Sequence, residues 1–180
     1  MLSVLIEARE EPVLIASTLA SLVPGAVEGL VGDVVLIDEG MGPEARRVAD
    51  HAGCRIRQEP LLACIAAAKG DWILFIEAGA RPTPGWVDEI SGFLADAAEG
   101  RARARAARFR VARQDRPFLW AGLTFRRSLM AGGLVARKSD AMAAVTPDRG
   151  MAGLVRALRP MVLSADMRPR PPDGEPQRRR

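Results

Sequence analysis

Three short apolar runs without polar alternation punctuate the first half of the chain, at residues 2–6, 34–37 and 72–76. Runs of this kind predict strands buried on both faces of a parallel sheet, where neither side meets water. Between them the apolar positions recur at helical spacing. Pro12 suits the first turn of a helix, and Ile15, Leu19 and Leu22 follow at intervals of four and three. A second helix is predicted over 43–52, closed by Gly53, and a third over 60–69, closed by Gly70. A fourth begins near Pro84 with Thr83 as its N-cap, carries Trp86, Ile90, Phe93 and Leu94 on one stripe, and ends before Gly100. Strand and helix alternate, which predicts an open parallel α/β sheet flanked by helices.

The second half reads less regularly. In RARARAARFRVAR, over 101–113, arginine alternates with alanine, which fits a strand with one wet face, although basic helices share this composition. A helix is expected over 115–130, then Gly132 and Gly133, a strand at 134–137, and short helices over 139–145 and 151–158. From residue 167 the sequence MRPRPPDGEPQRRR is rich in Pro and Arg, too poor in apolar surface to order itself. One domain over 1–166 with a disordered tail over 167–180 is the expected organisation.

Composition narrows the class. Of the 180 residues, 48% are hydrophobic and 27% charged, as in a globular domain large enough to bury a core. Cys54 and Cys64 have no cysteine or histidine at metal-ligand spacing, so they read as reduced core fillers in a reducing compartment. The start, MLSVLIEARE, turns acidic after six positions and has no basic n-region, so no signal peptide is expected. The uncharged stretch 12–27 is too short for a span, which needs about 20 mostly apolar residues. A cytoplasmic protein is expected, with peripheral membrane association as the alternative.

The net charge of +4 hides an asymmetry, with 7 basic and 16 acidic residues in 1–100 against 19 and 6 in 101–180. Either the halves complement each other within the fold, or the basic half meets an acidic partner such as a phosphate-bearing ligand, an anionic membrane or a protein. Phe118, Trp120 and Phe125, flanked by Arg116, Arg126 and Arg127, fit either an amphipathic core helix or an interfacial patch. No recognised nucleic-acid module accompanies the arginines, and none is expected to be bound. His51, the single histidine, lies late in a helix and suits the helix end.

Ligands of open α/β sheets bind beyond the carboxyl ends of the strands. Those ends read Glu7-Ala8-Arg9-Glu10-Glu11, Asp38-Glu39-Gly40 and Glu77-Ala78-Gly79, three acidic strand ends on one edge. Arg9-Glu10-Glu11, Asp38-Glu39-Gly40, Lys69-Gly70-Asp71-Trp72 after an alanine-rich helix, and the Pro82-Thr83-Pro84-Gly85-Trp86-Val87 stretch together resemble the family 2 glycosyltransferases of the GT-A fold. The resemblance covers residues 1–96 and continues through Gly132-Gly133-Leu134-Val135-Ala136-Arg137-Lys138. It implies a single GT-A-like (Rossmann-like), mostly parallel sheet and a nucleotide-sugar ligand near Ala8, Glu10, Asp38 and Glu39.

The departures from that pattern concern chemistry. The family's Asp-x-Asp, whose last carboxylate helps hold a divalent cation bridging the diphosphate, stands here as Glu77-Ala78-Gly79, leaving Glu77 as the candidate metal ligand. Gly150 and Met151 stand where the late acid pair would supply a base, with Asp140 and Asp148 as the nearby substitutes. Met41-Gly42-Pro43 replaces a Ser-Thr-Asp-like run. The resemblance therefore implies a family 2-like domain impaired in transfer and acting as a binding or regulatory partner. The alternatives are an active transferase using Mg²⁺ or Mn²⁺ with unusual ligands, and a basic membrane- or protein-interaction module.

Overall fold

The computed structural model describes residues 1–102, 104–115, 128–146 and 148–172. Eight strands form one sheet in the order β3-β2-β1-β4-β7-β6-β8-β5. They are β1 (Leu2–Ala8), β2 (Val31–Asp38), β3 (Arg55–Arg57), β4 (Trp72–Glu77), β5 (Arg81–Pro82), β6 (Ala106–Val111), β7 (Leu134–Arg137) and β8 (Met161–Arg168). The helices are α1 (Pro12–Val27), α2 (Pro43–His51), α3 (Leu61–Ala67), α4 (Trp86–Ala98), α5 (Lys138–Ala144) and α6 (Gly150–Leu158). β3, β2, β1 and β4 run parallel, β7 pairs antiparallel with β4 and with β6, and β8 joins β6 in parallel and β5 antiparallel.

The uninterrupted apolar runs do what their pattern predicts. In β1, Val4 and Ile6 face one layer and Leu5 the other; in β4, Leu74 and Ile76 face the first and Ile73 and Phe75 the second. The first layer packs Ile15 and Leu22 of α1, Ala45 and Ala49 of α2, and Trp86, Ile90 and Phe93 of α4. The second packs Cys64 and Ile65 of α3, Ala141 of α5, and Met151 and Leu154 of α6. The two-residue period of a strand thus sorts one sequence into two cores.

The edge formed by the strands' N-terminal ends is closed by a polar network. Asp33 accepts from Ser3 Oγ at 3.2 Å, from Arg55 Nε at 3.0 Å and from the Lys69 N–H at 3.2 Å, and a second Arg55 nitrogen makes an ion pair with it. The Gly70 N–H donates to Ser3 Oγ at 2.8 Å. A Cβ on Gly70 would lie 2.6 Å from the Met1 carbonyl oxygen and 2.8 Å from the Ser3 nitrogen, so only glycine allows this approach. The Lys69-Gly70-Asp71-Trp72 stretch is therefore a packing device of the edge opposite the acidic strand ends. Burial by itself raises the Asp33 pKa, but the Arg55 guanidinium and the Lys69 N–H outweigh it and hold the carboxyl below its ordinary value of 3.8.

Several expectations are corrected. Thr83 does not cap α4: Gly85 does, in the left-handed region at φ 87°, while the Thr83 hydroxyl donates to the Asp166 carbonyl at 2.9 Å. Only the second half of the Arg-Ala alternation is strand, from Ala106. Three short or edge strands, β3, β5 and β8, were not expected. β8 runs through Arg168, and Arg170 bonds to Glu11, so the ordered chain passes the expected limit at 166. These residues order because β8 finds sheet partners in β5 and β6 that no local pattern announces. Most of the helix expected over 115–130, with Phe118, Trp120 and Phe125, lies outside the described residues, as does 173–180.

The Arg170–Glu11 ion pair joins the basic half to the acidic half, whereas Arg110–Asp166 and Arg168–Asp115 lie within the basic half. Among the described residues no helix is long and apolar enough to cross a membrane.

Asp33→Asn is expected to lower the unfolding free energy by about 1.5–3 kcal/mol at pH 7, measured by urea denaturation. Because the folded-state pKa is depressed, this stability exists above the ordinary Asp value and is lost as pH falls through the folded value. The gap between parent and variant should therefore narrow below about pH 4.

Candidate functional site

β1 pairs with β2 on one side and β4 on the other, so the chain leaves β1 in one direction and returns in the other. A topological switch point of this kind opens a crevice outside the carboxyl ends of the strands. There Glu7 lies directly opposite Glu77, and Ala8 opposite Asp38. The three acidic ends expected to share an edge do so.

The two flanks of the crevice differ. Glu7 points to the α6 side, where a Cβ on Gly150 would come within 3.9 Å of its Oε1 and the Met151 N–H hydrogen-bonds to its carboxylate. Burial raises the Glu7 pKa above its ordinary value of 4.5, and the charges of Glu39 and Glu77 raise it further against the opposing pull of Met151 and Arg9. Glu77 accepts from Ser128 Oγ at 3.1 Å. Ser128 also lines a cavity of about 360 Å³ together with Arg108, Arg110 and Val162.

On the α1 flank, Gly79 has φ +95°, and its N–H donates to the buried Thr18 Oγ1 at 2.8 Å. Its missing side chain would meet Pro171 Cδ at 3.1 Å and Arg170 Cγ at 3.4 Å. Arg170 forms a two-pronged ion pair with Glu11, the residue that precedes α1.

The sequence-derived candidates sort as follows. Asp38 is on the edge, but its carboxylate is already engaged. One oxygen accepts from the Gly40 N–H at 2.9 Å and the Met41 N–H at 2.6 Å, and the other from Gln58 at 3.0 Å and from Arg46. These four contacts fill the acceptor positions of a carboxylate. Burial raises its pKa, but the Met41 N–H and the Gln58 amide outweigh it and the net shift is downward. The Ala8 carbonyl is likewise taken, by the Glu39 N–H at 2.9 Å. Glu10 lies against Gly42, the N-cap of α2, where any Cβ would displace its carboxylate. Glu39 is exposed at the rim.

Of the two substitute bases, Asp148 is exposed and precedes Gly150, which faces Glu7, by two residues. Asp140 belongs to the other edge. β7 runs antiparallel to β4 with Arg137 opposite Trp72, and the Lys138 N–H donates to the Asp71 carbonyl at 2.8 Å. The first turn of α5, which carries Asp140, therefore starts about 17 Å from Glu77, five strand residues away. A base must come within hydrogen-bond reach of its proton, and Asp140 does not.

Sequence reasoning passed over Glu7 as a site residue although it read the acid at the strand end, and it passed over Arg170 altogether. Glu7 could have been found from its register with Glu77. Nothing local marks Arg170, whose partner lies 159 residues away.

A divalent cation of the kind the resemblance implies does not fit these residues. Among the described residues no three His, Cys, Asp or Glu side chains converge on a metal position. Glu77 accepts from Ser128, and position 79 is a left-handed glycine whose Cβ would already be in tight contact with Pro171.

No protein-family model matches the sequence, and no curated protein matches it. Solved structures do. The glucosyl-3-phosphoglycerate synthase of Mycobacterium tuberculosis superposes with a TM-score of 0.66 at 21% identity, over 98% of this chain and 74% of that one. Its complex with Mn²⁺ and UDP-glucose gives 0.66 at 20% identity, over 98% and 72%. The complex with Mg²⁺ and UDP gives 0.65 at 21%, over 98% and 72%. The expected fold, a GT-A-like α/β domain with a mostly parallel sheet, is the observed one; identities at this level establish the fold alone.

Glu7→Gln should raise thermal stability at pH 7, by about 0.5–2 kcal/mol as for other substitutions that relieve unfavourable charge. The folded-state pKa of Glu7 is raised, so its contribution is most favourable below the ordinary value of 4.5 and is lost as pH rises through the folded value. The gain from glutamine should therefore vanish at acid pH, which melting curves at pH 7 and pH 3.5 check.

Proposed function

We propose that this domain binds a nucleotide sugar at the carboxyl edge of β1, β2 and β4 and transfers the sugar weakly or not at all, acting as a binding or regulatory partner. The observation that carries this reading is the state of position 79. The fold and switch point are those of nucleotide-sugar-binding neighbours, yet the place of the metal-binding carboxylate is a left-handed glycine beneath a neighbouring segment. The late acid pair is absent in the same way, because α6 meets the crevice with Gly150 and Met151, Asp140 starts from the opposite edge, and Asp148 stands two residues before Gly150 and exposed.

The crevice still divides by charge in a manner that suits such a ligand. Glu7 and Glu77 suit sugar hydroxyls, which donate to carboxylates, and the α1 flank carries the guanidinium. Asp38 recognises a base or ribose only by exchanging one of its present partners.

A second reading, an active transferase, is favoured by one observation. The cavity beside Ser128 is walled by Arg108 and Arg110, which suits an anionic acceptor next to Glu77. In this reading Glu77 would be the one carboxylate left to a Mg²⁺ or Mn²⁺ ion, against the misfit described above, and Asp148 or Glu7, whose raised pKa suits proton transfer, takes the acceptor's proton.

Calorimetric titration with UDP-glucose, followed by a product assay on the same mixtures with Mn²⁺, tests both. The expected outcome is binding with a dissociation constant between about 1 μM and 1 mM and no turnover approaching ~1 s⁻¹. Turnover at or above that rate, abolished by Glu77→Gln, replaces the first reading with the second. No binding under any condition removes both.

A further inference from the structure

We infer that Arg170 supplies the positive charge for the diphosphate that a divalent cation supplies elsewhere, so that nucleotide-diphosphate binding by this chain needs no metal. The inference rests on the nucleotide-sugar reading and adds to it the group that holds the phosphates.

Two leaving phosphates concentrate negative charge, and a cleft that holds them must answer it with cations. The acids at this edge work against that: Glu7 faces Glu77, with Glu39 on the rim. Arg46 and Arg170 are both ion-paired, but Asp38 also holds the Gly40 and Met41 N–H groups and Gln58. Among the described residues the Glu11 carboxylate makes no hydrogen bond beyond those to Arg170. Arg170 is the cation whose stem passes position 79, its Cγ 3.4 Å from where a side chain there would begin, and whose guanidinium reaches Glu11 at the end of the β1–α1 turn. A carboxylate at position 79 and the Arg170 segment disfavour each other. An aspartate at 79 would need a backbone at φ +95°, strained for any residue with a Cβ, and would begin in tight contact with Pro171, 3.1 Å from its Cδ.

The segment is not a loose tail. Met167 and Arg168 pair with Pro82 and Arg81, and the Thr83 N–H and hydroxyl both donate to the Asp166 carbonyl, at 3.0 and 2.9 Å. Arg170 follows this anchor by two residues. Its side chain is 20% exposed, and that of its partner Glu11 is 24% exposed, so the guanidinium is held in a part-dry setting with a bidentate geometry that phosphate oxygens match as well as carboxylate oxygens do. A diphosphate arriving at the end of β1 would take over the fork now occupied by Glu11.

The test is titration of the full chain with UDP, in EDTA and in Mn²⁺, for the parent, Arg170→Ala, Arg170→Lys and Glu11→Gln, with melting temperatures taken in parallel. UDP should bind the parent with the same affinity in EDTA and in Mn²⁺. Arg170→Ala should weaken it by about tenfold or more, and Arg170→Lys by less. Glu11→Gln, which breaks the same ion pair from the other side, should tighten binding by up to about fivefold. Binding that requires Mn²⁺ and ignores Arg170→Ala overturns the inference while leaving the nucleotide-sugar reading intact. Equal weakening by Arg170→Ala and Glu11→Gln overturns it too, because the pair would then only brace the fold. Tighter binding by Arg170→Ala overturns it by showing the segment to be a plug. No UDP binding by a folded parent removes the underlying reading and the inference with it.

Discussion

β1 is buried on both faces and hydrogen-bonded along both edges, and the crevice follows from that. The chain leaves this enclosed strand at its carboxyl end, after Ala8, and the charged side chains that begin with Glu7 gather there. Because β2 and β4 flank it in parallel, their polar exits come to the same edge, and register puts Glu7 against Glu77 and Ala8 against Asp38. The close approach of Gly70 to the start of β1 and the Asp33–Arg55 pair fix the other edge. The acidic edge is thus a consequence of pairing, and its chemistry depends on what the remaining elements bring to it.

What was legible in the sequence was whatever local pattern determines. Apolar runs without alternation marked β1, β2 and β4, and prolines and glycines marked the helix limits to within a few residues. The acids at the strand ends could be placed on one edge because parallel strands end together. Legibility stopped where position depends on a distant partner. Asp140 looked like a neighbour of the crevice until the antiparallel register of β7 carried it to the other edge. The segment after residue 166 looked unable to order itself, and alone it is; β5 and Glu11 order it from 80 or more residues away. Pattern reads what a segment does by itself or with a periodic neighbour, not which of two edges an antiparallel return will reach.

The described acids of the sheet edges also separate by saturation. Asp33 and Asp38 each have their acceptor positions filled, by an arginine and by backbone N–H groups among others, and both are held below the ordinary carboxylate range against the effect of burial. Such carboxylates organise loops and edges. Glu7 is shifted the other way, by burial and by like charges, with one backbone N–H and Arg9 to oppose them. Unsatisfied charge in a crevice is the feature a structural role does not require and a ligand's hydroxyl or proton does.

That separation gives the crevice a direction. The side-chain alternation of β1 and β4 sends Glu7 towards α6, while the turn after Glu77 carries Gly79 towards α1 and Arg170. An anion placed on the α6 flank would meet carboxylates, and one placed on the α1 flank would meet the Arg170 guanidinium, which pairs with the part-exposed Glu11. A ligand with phosphates at one end and hydroxyls at the other therefore has one favourable orientation across the switch point, phosphates to α1 and sugar to α6. On the reading proposed above, the hydroxyl end then faces the N-terminus of α6, where Gly150 and Met151 offer no acid of their own and Glu7 is the carboxylate beside them. On that reading one placement of side chains sets both the orientation of the ligand and the acid left beside its hydroxyls.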